Sequence, residues 1–137
     1  MGSGAVRGTV RALWPLLTVQ NIAASIAFYR DRLGFDVIDE AKGPEGLFWC
    51  RLTRDGASLM LQQADEAEDG PAEGRGRGVA LYFVCDDADA MYAEFTARGL
   101  AVEPPQKAYY GMNQLHIPEP DGYVVCFESS CAPEAAS

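Results

Sequence analysis

The fold is decided by the stretch Leu13-Trp-Pro-Leu-Leu-Thr-Val-Gln-Asn-Ile-Ala-Ala-Ser-Ile-Ala-Phe-Tyr-Arg-Asp-Arg-Leu-Gly-Phe35. Its first part, up to Val19, is a short apolar run that predicts a β-strand. Asn21 can cap a following helix with its side-chain oxygen, and Gly34 can end that helix in a left-handed conformation. Between them, apolar residues recur at helical spacing: Ile22, Ile26, Tyr29 and Leu33. The stretch therefore predicts a strand followed by an amphipathic helix.

Three further strands are predicted in the first half of the chain, at residues 35–40, 46–53 and 57–63. The dipeptide Asp55-Gly56 between the last two is typical of a tight hairpin turn, because both residues tolerate positive φ. The first half therefore follows the order strand, helix and three strands, abbreviated βαβββ.

The second half repeats this order at a shift of about 65 residues. The first strand falls on residues 79–84, and Gly34 falls on Gly99. The expected elements are a strand at 78–85, a helix that begins at Asp86 or Asp87, and strands at 100–104, 111–117 and 123–129. A shared order of elements indicates two modules of one kind.

A chain of 137 residues is long enough for one domain with a hydrophobic core. The residues between the two halves are charged and rich in Gly and Pro, which is typical of an exposed linker. We expect one α+β domain at 12–131, with module 1 at 12–63, module 2 at 78–131, a linker at 64–77, and flexible tails at 1–11 and 132–137.

Charge and composition exclude several classes of protein. With 20 acidic and 11 basic residues, the net charge is −9, which disfavours nucleic acids and anionic membranes as partners. No apolar run approaches the ~20 residues of a membrane-spanning helix, and the N-terminus lacks the apolar segment of a secretory signal. Four cysteines without a Cys-x-x-Cys pair indicate reduced thiols in a cytoplasmic protein. The negative charge is compatible with a cationic ligand, although much of it lies in the linker.

Three segments carry a resemblance to a known family: Leu17-Thr-Val-Gln-Asn-Ile22, Ser25-Ile-Ala-Phe-Tyr-Arg-Asp-Arg-Leu-Gly-Phe35 and Pro118-Glu-Pro-Asp-Gly-Tyr-Val-Val-Cys-Phe-Glu128. From about Leu13 to Ser129, the chain resembles the vicinal-oxygen-chelate superfamily, which includes glyoxalase I, extradiol dioxygenases, fosfomycin-resistance enzymes and bleomycin-resistance proteins. One departure is Glu119, where the family pattern has Asp. The resemblance implies paired βαβββ modules, a cup-shaped mixed sheet with the helices on its outer face, and a homodimer with two cavities.

Metal-using members of this family hold the ion with His, Glu or Gln from the first and last strands of each module. The matching positions here are Trp14, Met60, Val79 and Cys126, and the chain has a single histidine, His116. Indole, thioether, isopropyl and thiol groups do not form the usual octahedral site. The resemblance is therefore closest to the metal-free, bleomycin-resistance-like branch, which binds drugs and sequesters them, and we expect no cofactor.

Strand alternation predicts which side chains line the cup. The predicted ligand-binding residues are Trp14, Trp49, Arg51, Met60, Gln62, Phe83, Tyr109, Tyr110, Met112, Gln114, His116, Cys126 and Glu128. We expect the aromatic members to stack on a flat ligand, and the amide and carboxylate members to orient it. Two adjacent tyrosines before Gly111 suggest a mobile flap over the mouth of the cup. The alternative for Trp14, Trp49 and Phe83 is that they fill a core between the modules.

Three functions remain open at this point. The first, which we expect, is a metal-independent binding protein for aromatic, antibiotic-like small molecules that confers resistance by sequestration and has no catalytic residue. The second is a superfamily enzyme of the lyase, isomerase or dioxygenase type, with an unusual metal site or with His116 and Glu128 as acid and base. The third is a module with a packed cup that contacts another protein.

Overall fold

The computed structural model describes residues 6–131. Module 1 contains strand β1 (Leu16–Val19), helix α1 (Ile22–Ala27), a π-helical turn that continues this helix (Phe28–Arg32), and strands β2 (Asp36–Gly43), β3 (Gly46–Arg54) and β4 (Ala57–Gln63). The strands form a four-stranded sheet in the order β1-β4-β3-β2. Strand β1 runs parallel to β4, and the other neighbours are antiparallel.

A short helix α2 (Glu66–Asp69) lies between the modules, and module 2 contains β5 (Ala80–Val84), α3 (Ala88–Ala97), β6 (Gln106–Lys107), β7 (Met112–Pro118) and β8 (Val124–Ser130). The second sheet has four strands in the order β5-β8-β7-β6, with β5 parallel to β8. Two mixed sheets, each with its helix, confirm the predicted α+β class and the repeated βαβββ order. Within the described residues, no helix is both long and apolar enough to cross a membrane.

A polar side chain caps the N-terminus of the main helix in each module, α1 and α3. The Asn21 side-chain oxygen accepts a hydrogen bond from the N–H of Ala24 at 3.1 Å. The Asp87 carboxylate accepts hydrogen bonds from two N–H groups of α3, at 2.9 and 3.3 Å, so Asp87 rather than Asp86 is the cap. Gly34 and Gly99 follow the two helices at φ of 74° and 92°, a region that strains a residue with a Cβ atom.

The two modules differ by one residue between cap and glycine. Asn21 and Asp87 are 66 positions apart, whereas Gly34 and Gly99 are 65 apart. The π-helical turn in module 1 accommodates the additional residue, because a π-turn holds one residue more than an α-turn. The predicted shift of 65 is therefore wrong for the strands that precede the caps, β1 and β5.

Two further predictions need correction. The predicted strand at 100–104 is not formed, and β6 is a two-residue strand at Gln106–Lys107. Pro104 and Pro105 explain this difference, since proline has no N–H to give to a sheet. The predicted linker also contains helix α2, whose cap Asp65 accepts a hydrogen bond from the N–H of Ala67 at 3.0 Å.

The helix-facing sides of the two sheets share one hydrophobic core. Across the modules, Tyr29 Oη donates to Glu119 Oε2 at 2.9 Å, and the rings of Phe35 and Phe83 meet edge to face with centroids 5.8 Å apart. These contacts join the modules on the side where the helices lie. The opposite side of each sheet, which we call the open face, carries the residues described next.

Candidate ligand-binding site

The open face of module 1 is built from alternate residues of paired strands. Strand register places Arg51 of β3 beside Met60 of β4, and Trp49 beside Gln62 in the next row. Gln62 Nε2 donates to Thr18 Oγ1 of β1 at 2.9 Å. Side chains two residues apart in a strand point the same way, so these four predicted residues share one face.

Arg51 packs against Trp14 on this face. The guanidinium carbon lies 4.1 Å from the centroid of the indole ring, which is a cation–π contact. The Arg51 nitrogens lie 3.4 Å from Asp39 Oδ2 and 3.5 Å from Ser58 Oγ, at the long limit of hydrogen bonding. Trp14 remains 46% exposed, so part of its ring is accessible to a ligand.

Glu128 is the centre of a polar cluster on the open face of module 2. Gln114 Nε2 donates to Glu128 Oε1 at 3.1 Å, and Tyr110 Oη donates to the same oxygen at 3.4 Å. Tyr110 also contacts the Gln114 amide. The adjacent Tyr109 is fully exposed and packs edge-on against Tyr110, at a centroid distance of 5.2 Å. Three predicted residues therefore lie together, while the flap role of Tyr109 and Tyr110 stays a prediction.

Strand β5 turns a different side chain to the open face than the sequence predicts. Tyr82 pairs with Cys126, which pairs with His116, so these three side chains share the open face. Phe83 lies on the opposite side and stacks on Phe127, with ring centroids 4.7 Å apart. The predicted open-face position of Phe83 is wrong, because a slip of one residue reverses every side chain of a strand.

The one-residue shift of β5 also changes one of the four positions that correspond to the metal ligands of metal-using relatives. When the helix caps are aligned, Ala80 rather than Val79 matches Trp14. The four positions are then Trp14, Met60, Ala80 and Cys126. Only two of them carry a possible metal donor, the thioether of Met60 and the thiol of Cys126. Burial raises the pKa of the Cys126 thiol to about 11, which keeps it protonated at neutral pH and makes it a poor ligand. Among residues 6–131, no group of three His, Cys, Asp or Glu side chains could hold a metal ion, so the residues present do not fit the metal of the metal-using relatives.

A cavity of about 400 Å³ lies between the modules beside Trp14. Ser58 also lines it from module 1, Tyr82 and Phe83 line it from module 2, and Arg11, which precedes module 1, lines it as well. The volume falls within the range of about 300–1,000 Å³ that is common for small-molecule sites. The predicted residues outside this lining are Trp49, Arg51, Met60, Gln62, Tyr109, Tyr110, Met112, Gln114, His116, Cys126 and Glu128.

A larger cavity of about 670 Å³ opens on the helix-facing side of β5. It shares Tyr82 and Phe83 with the smaller cavity, and Phe127 of the core also lines it. One of its acidic residues, Asp87, already caps helix α3. We place the candidate site at the smaller cavity, because that cavity reaches the open face where the Arg51–Trp14 contact lies.

Two features of this site are not predicted from the sequence. Tyr82 is absent from the predicted set, although aligning the caps Asn21 and Asp87 places it on the open face. The contact between Arg51 and Trp14 joins residues from different strands, and no local pattern signals it.

The sequence matches the model of the Glyoxalase/Bleomycin resistance protein/Dioxygenase superfamily over residues 11–127. A glyoxalase/bleomycin resistance protein/dioxygenase from Nocardioides shares the fold with a TM-score of 0.69 and 21% identity, over 93% of this chain and 88% of that chain. TnmS3, an antibiotic binding protein from a Streptomyces species, matches with a TM-score of 0.67 and 26% identity, over 90% of this chain and 99% of that chain.

A glyoxalase/bleomycin resistance protein from the same Streptomyces strain matches with a TM-score of 0.61 and 28% identity, over 83% of this chain and 96% of that chain. No curated protein gives a significant match. The family match begins before β1 and ends within β8, so it includes both modules and the residues between them. The chain therefore belongs to the glyoxalase/bleomycin resistance protein/dioxygenase superfamily.

Proposed function

We propose that this protein binds aromatic, antibiotic-like small molecules without a metal ion and acts by sequestering them. The observation that carries the proposal is the half-exposed Trp14 ring, which lies against Arg51 and lines a cavity of about 400 Å³. An indole face of this kind stacks on flat ligands. Met60 and Cys126, at positions of the metal ligands in relatives, favour packing against an organic ligand over coordination of an ion.

The similarity to TnmS3 also supports binding of an antibiotic-like molecule. That protein is described as an antibiotic binding protein, and it matches 90% of this chain at 26% identity. The relationship is distant, so the identity of the ligand has to come from this chain's own residues. Those residues supply aromatic rings from both modules, Trp14 and Tyr82, beside one cavity.

We propose that the binding unit is a homodimer. Strands β1 and β5 each form the edge of their sheet, and the side chains of Leu16 and Tyr82 along these edges are half-exposed. Sheet edges with exposed apolar side chains favour association with another chain. Sedimentation at micromolar concentration is expected to give the mass of two chains, and a single chain's mass would contradict this proposal.

Tryptophan fluorescence gives a direct test, because both tryptophans lie on module 1, Trp14 at the cavity and Trp49 on the open face. Chelator-treated protein without a His-tag is titrated with two aromatic antibiotics, doxorubicin and novobiocin. We expect saturable quenching by at least one of them, unchanged by added Mn²⁺, Ni²⁺ or Zn²⁺. Trp14→Ala should weaken the binding about tenfold, measured by calorimetry, because it removes a stacking surface worth about 1 kcal/mol and its packing.

The matched control is Phe48→Ala, which removes another half-exposed aromatic ring from β3, away from both cavities. This variant should bind like the wild type. An affinity unchanged by Trp14→Ala would contradict the proposed site. A stoichiometric bound metal that is required for binding would contradict metal independence.

A further inference from the structure

Two arginines of strand β3 differ in how well their hydrogen-bond donors are satisfied. Arg54 makes two short hydrogen bonds to the Glu94 carboxylate, at 2.6 and 2.8 Å, and one to a backbone carbonyl oxygen at 2.8 Å. Arg51 has only long contacts, at 3.4 and 3.5 Å, although just 18% of its side chain is exposed. A guanidinium group has five N–H donors, so Arg51 keeps donors available to a ligand.

The surroundings of Arg51 leave its positive charge largely uncompensated. Trp14 and Met60, which lie beside it on the open face, are neutral. The Asp39 side chain is 59% exposed, so water weakens its attraction for Arg51. Arg11 also lines the cavity and adds a second positive charge. Among the charged side chains that contact Arg51 or line the cavity, two are positive, Arg51 and Arg11, and one is negative, Asp39.

Module 2 carries a basic residue at the equivalent position. Arg51 pairs with Met60, and His116 pairs with Cys126. Met60 and Cys126 each lie beside the first strand of their own module and are 66 positions apart, like the helix caps. Both open faces therefore present nitrogen donors at the same place, which favours a ligand with an anionic group.

We propose that the ligand is a flat aromatic acid whose anionic group binds Arg51 while its ring lies against Trp14. This inference rests on the proposed function and narrows its ligand class to anions. A planar guanidinium suits a carboxylate, because two parallel N–H donors can contact the two oxygens. The ring of the ligand occupies the cavity that Trp14 and Tyr82 line.

Three compounds with one ring system test the inference by calorimetry: 2-naphthoate, 2-naphthamide and 2-naphthylmethylammonium. They place an anion, a neutral group and a cation on the same naphthalene. We expect 2-naphthoate to bind about tenfold more tightly than 2-naphthamide, since a hydrogen bond between two charged groups is stronger than one to a neutral amide, and the ammonium compound to bind most weakly. Arg51→Met should remove the advantage of 2-naphthoate and change the affinity for 2-naphthamide by less than about twofold.

Arg51→Lys keeps the charge without the fork of donors, so it should retain part of the advantage. The matched control is Arg30→Met, which removes an arginine paired with its neighbour Asp31 on the helix side. This control should leave all three affinities unchanged.

The wild-type ranking of the three compounds decides the inference even where a variant fails to fold. Equal or tighter binding of 2-naphthamide or of the ammonium compound would overturn the anionic class and leave the aromatic site standing. Failure of all three compounds, in protein that still binds doxorubicin or novobiocin, would overturn this inference alone. Failure of the two antibiotics as well would overturn the proposed function.

Discussion

The two modules carry similar apolar side chains on their helix-facing sides but different side chains on their open faces. At equivalent positions 66 residues apart, Leu17 and Leu61 in module 1 correspond to Phe83 and Phe127 in module 2. All four side chains are apolar and belong to one core. On the open faces, by contrast, Ala80 in module 2 corresponds to Trp14, and Glu128, with its polar cluster, corresponds to Gln62.

The difference follows from what each side has to contact. The helix-facing sides pack against the helices and against the other module, so only apolar groups of suitable volume are tolerated there. The open faces contact no helix, so charge and hydrogen bonding can vary at the same backbone position. The repeated module can therefore supply one shared core and two open faces that differ in chemistry.

The assignment of the two sides is tested most strongly at neighbouring residues of β5. Phe83→Ala removes a ring that stacks on Phe127 in the core, and we expect it to lower the free energy of unfolding by about 3 kcal/mol. Tyr82→Ala removes a half-exposed ring on the open face, and we expect a loss below about 1 kcal/mol together with weaker ligand binding. Urea unfolding monitored by circular dichroism measures both values.

This pair is its own control, because the two substitutions lie next to each other in one edge strand. A larger loss of stability for Tyr82→Ala than for Phe83→Ala would reverse the assignment. It would also mean that equivalent residues of β1 and β5 are 65 rather than 66 positions apart.

The joined side of the modules contains two carboxylates that should respond to pH in opposite ways. The hydrogen bond from Arg54 lowers the pKa of Glu94, so this pair stabilises the fold above the ordinary pKa of glutamate, and the contribution is lost as pH falls through the lowered value. Burial raises the pKa of Glu119, with hydrogen bonds from Tyr29 and two N–H groups partly opposing it. Its contribution is present below the ordinary pKa and is lost as pH rises through the raised value.

The expected result is a crossing of two pH profiles, obtained by urea unfolding from about pH 4 to about pH 8. The destabilisation caused by Glu94→Gln should be largest at neutral pH and shrink in acid. Any destabilisation caused by Glu119→Gln should be largest in acid and shrink as pH rises. Both variants should keep the wild-type affinity for aromatic ligands, because neither residue lies on an open face. Parallel profiles would contradict the assigned pKa directions.

Local signals in the sequence account for most of the fold. Asn21 and the two glycines after the helices carry their own conformational preferences, so the repeated βαβββ order can be predicted from them. The strand at 100–104 could not be predicted correctly by analogy with module 1, because Pro104 and Pro105 prevent regular pairing there. The register of β5 depends on whether Asp86 or Asp87 caps α3, and the sequence leaves both open, since the π-helical turn that adds one residue to module 1 has no plain sequence signature.

The candidate site is predicted less completely, because it depends on contacts between strands. Alternation correctly places Arg51, Gln114 and Glu128 on open faces, since it needs only the period of a strand. The stacking of Arg51 on Trp14 and the position of Tyr82 beside the cavity require the register and the packing of the two modules. Those are properties of the folded chain, and a one-residue error is enough to hide them.

A crystal structure of the metal-free protein with bound 2-naphthoate tests the central claim most directly. The account predicts the naphthalene ring against Trp14 and Tyr82, in the cavity of about 400 Å³, with the carboxylate oxygens within hydrogen-bond distance of the Arg51 guanidinium. Binding of the compound in the larger cavity against Phe127, or at a metal ion, with Trp14 and Arg51 free of contact, would contradict it.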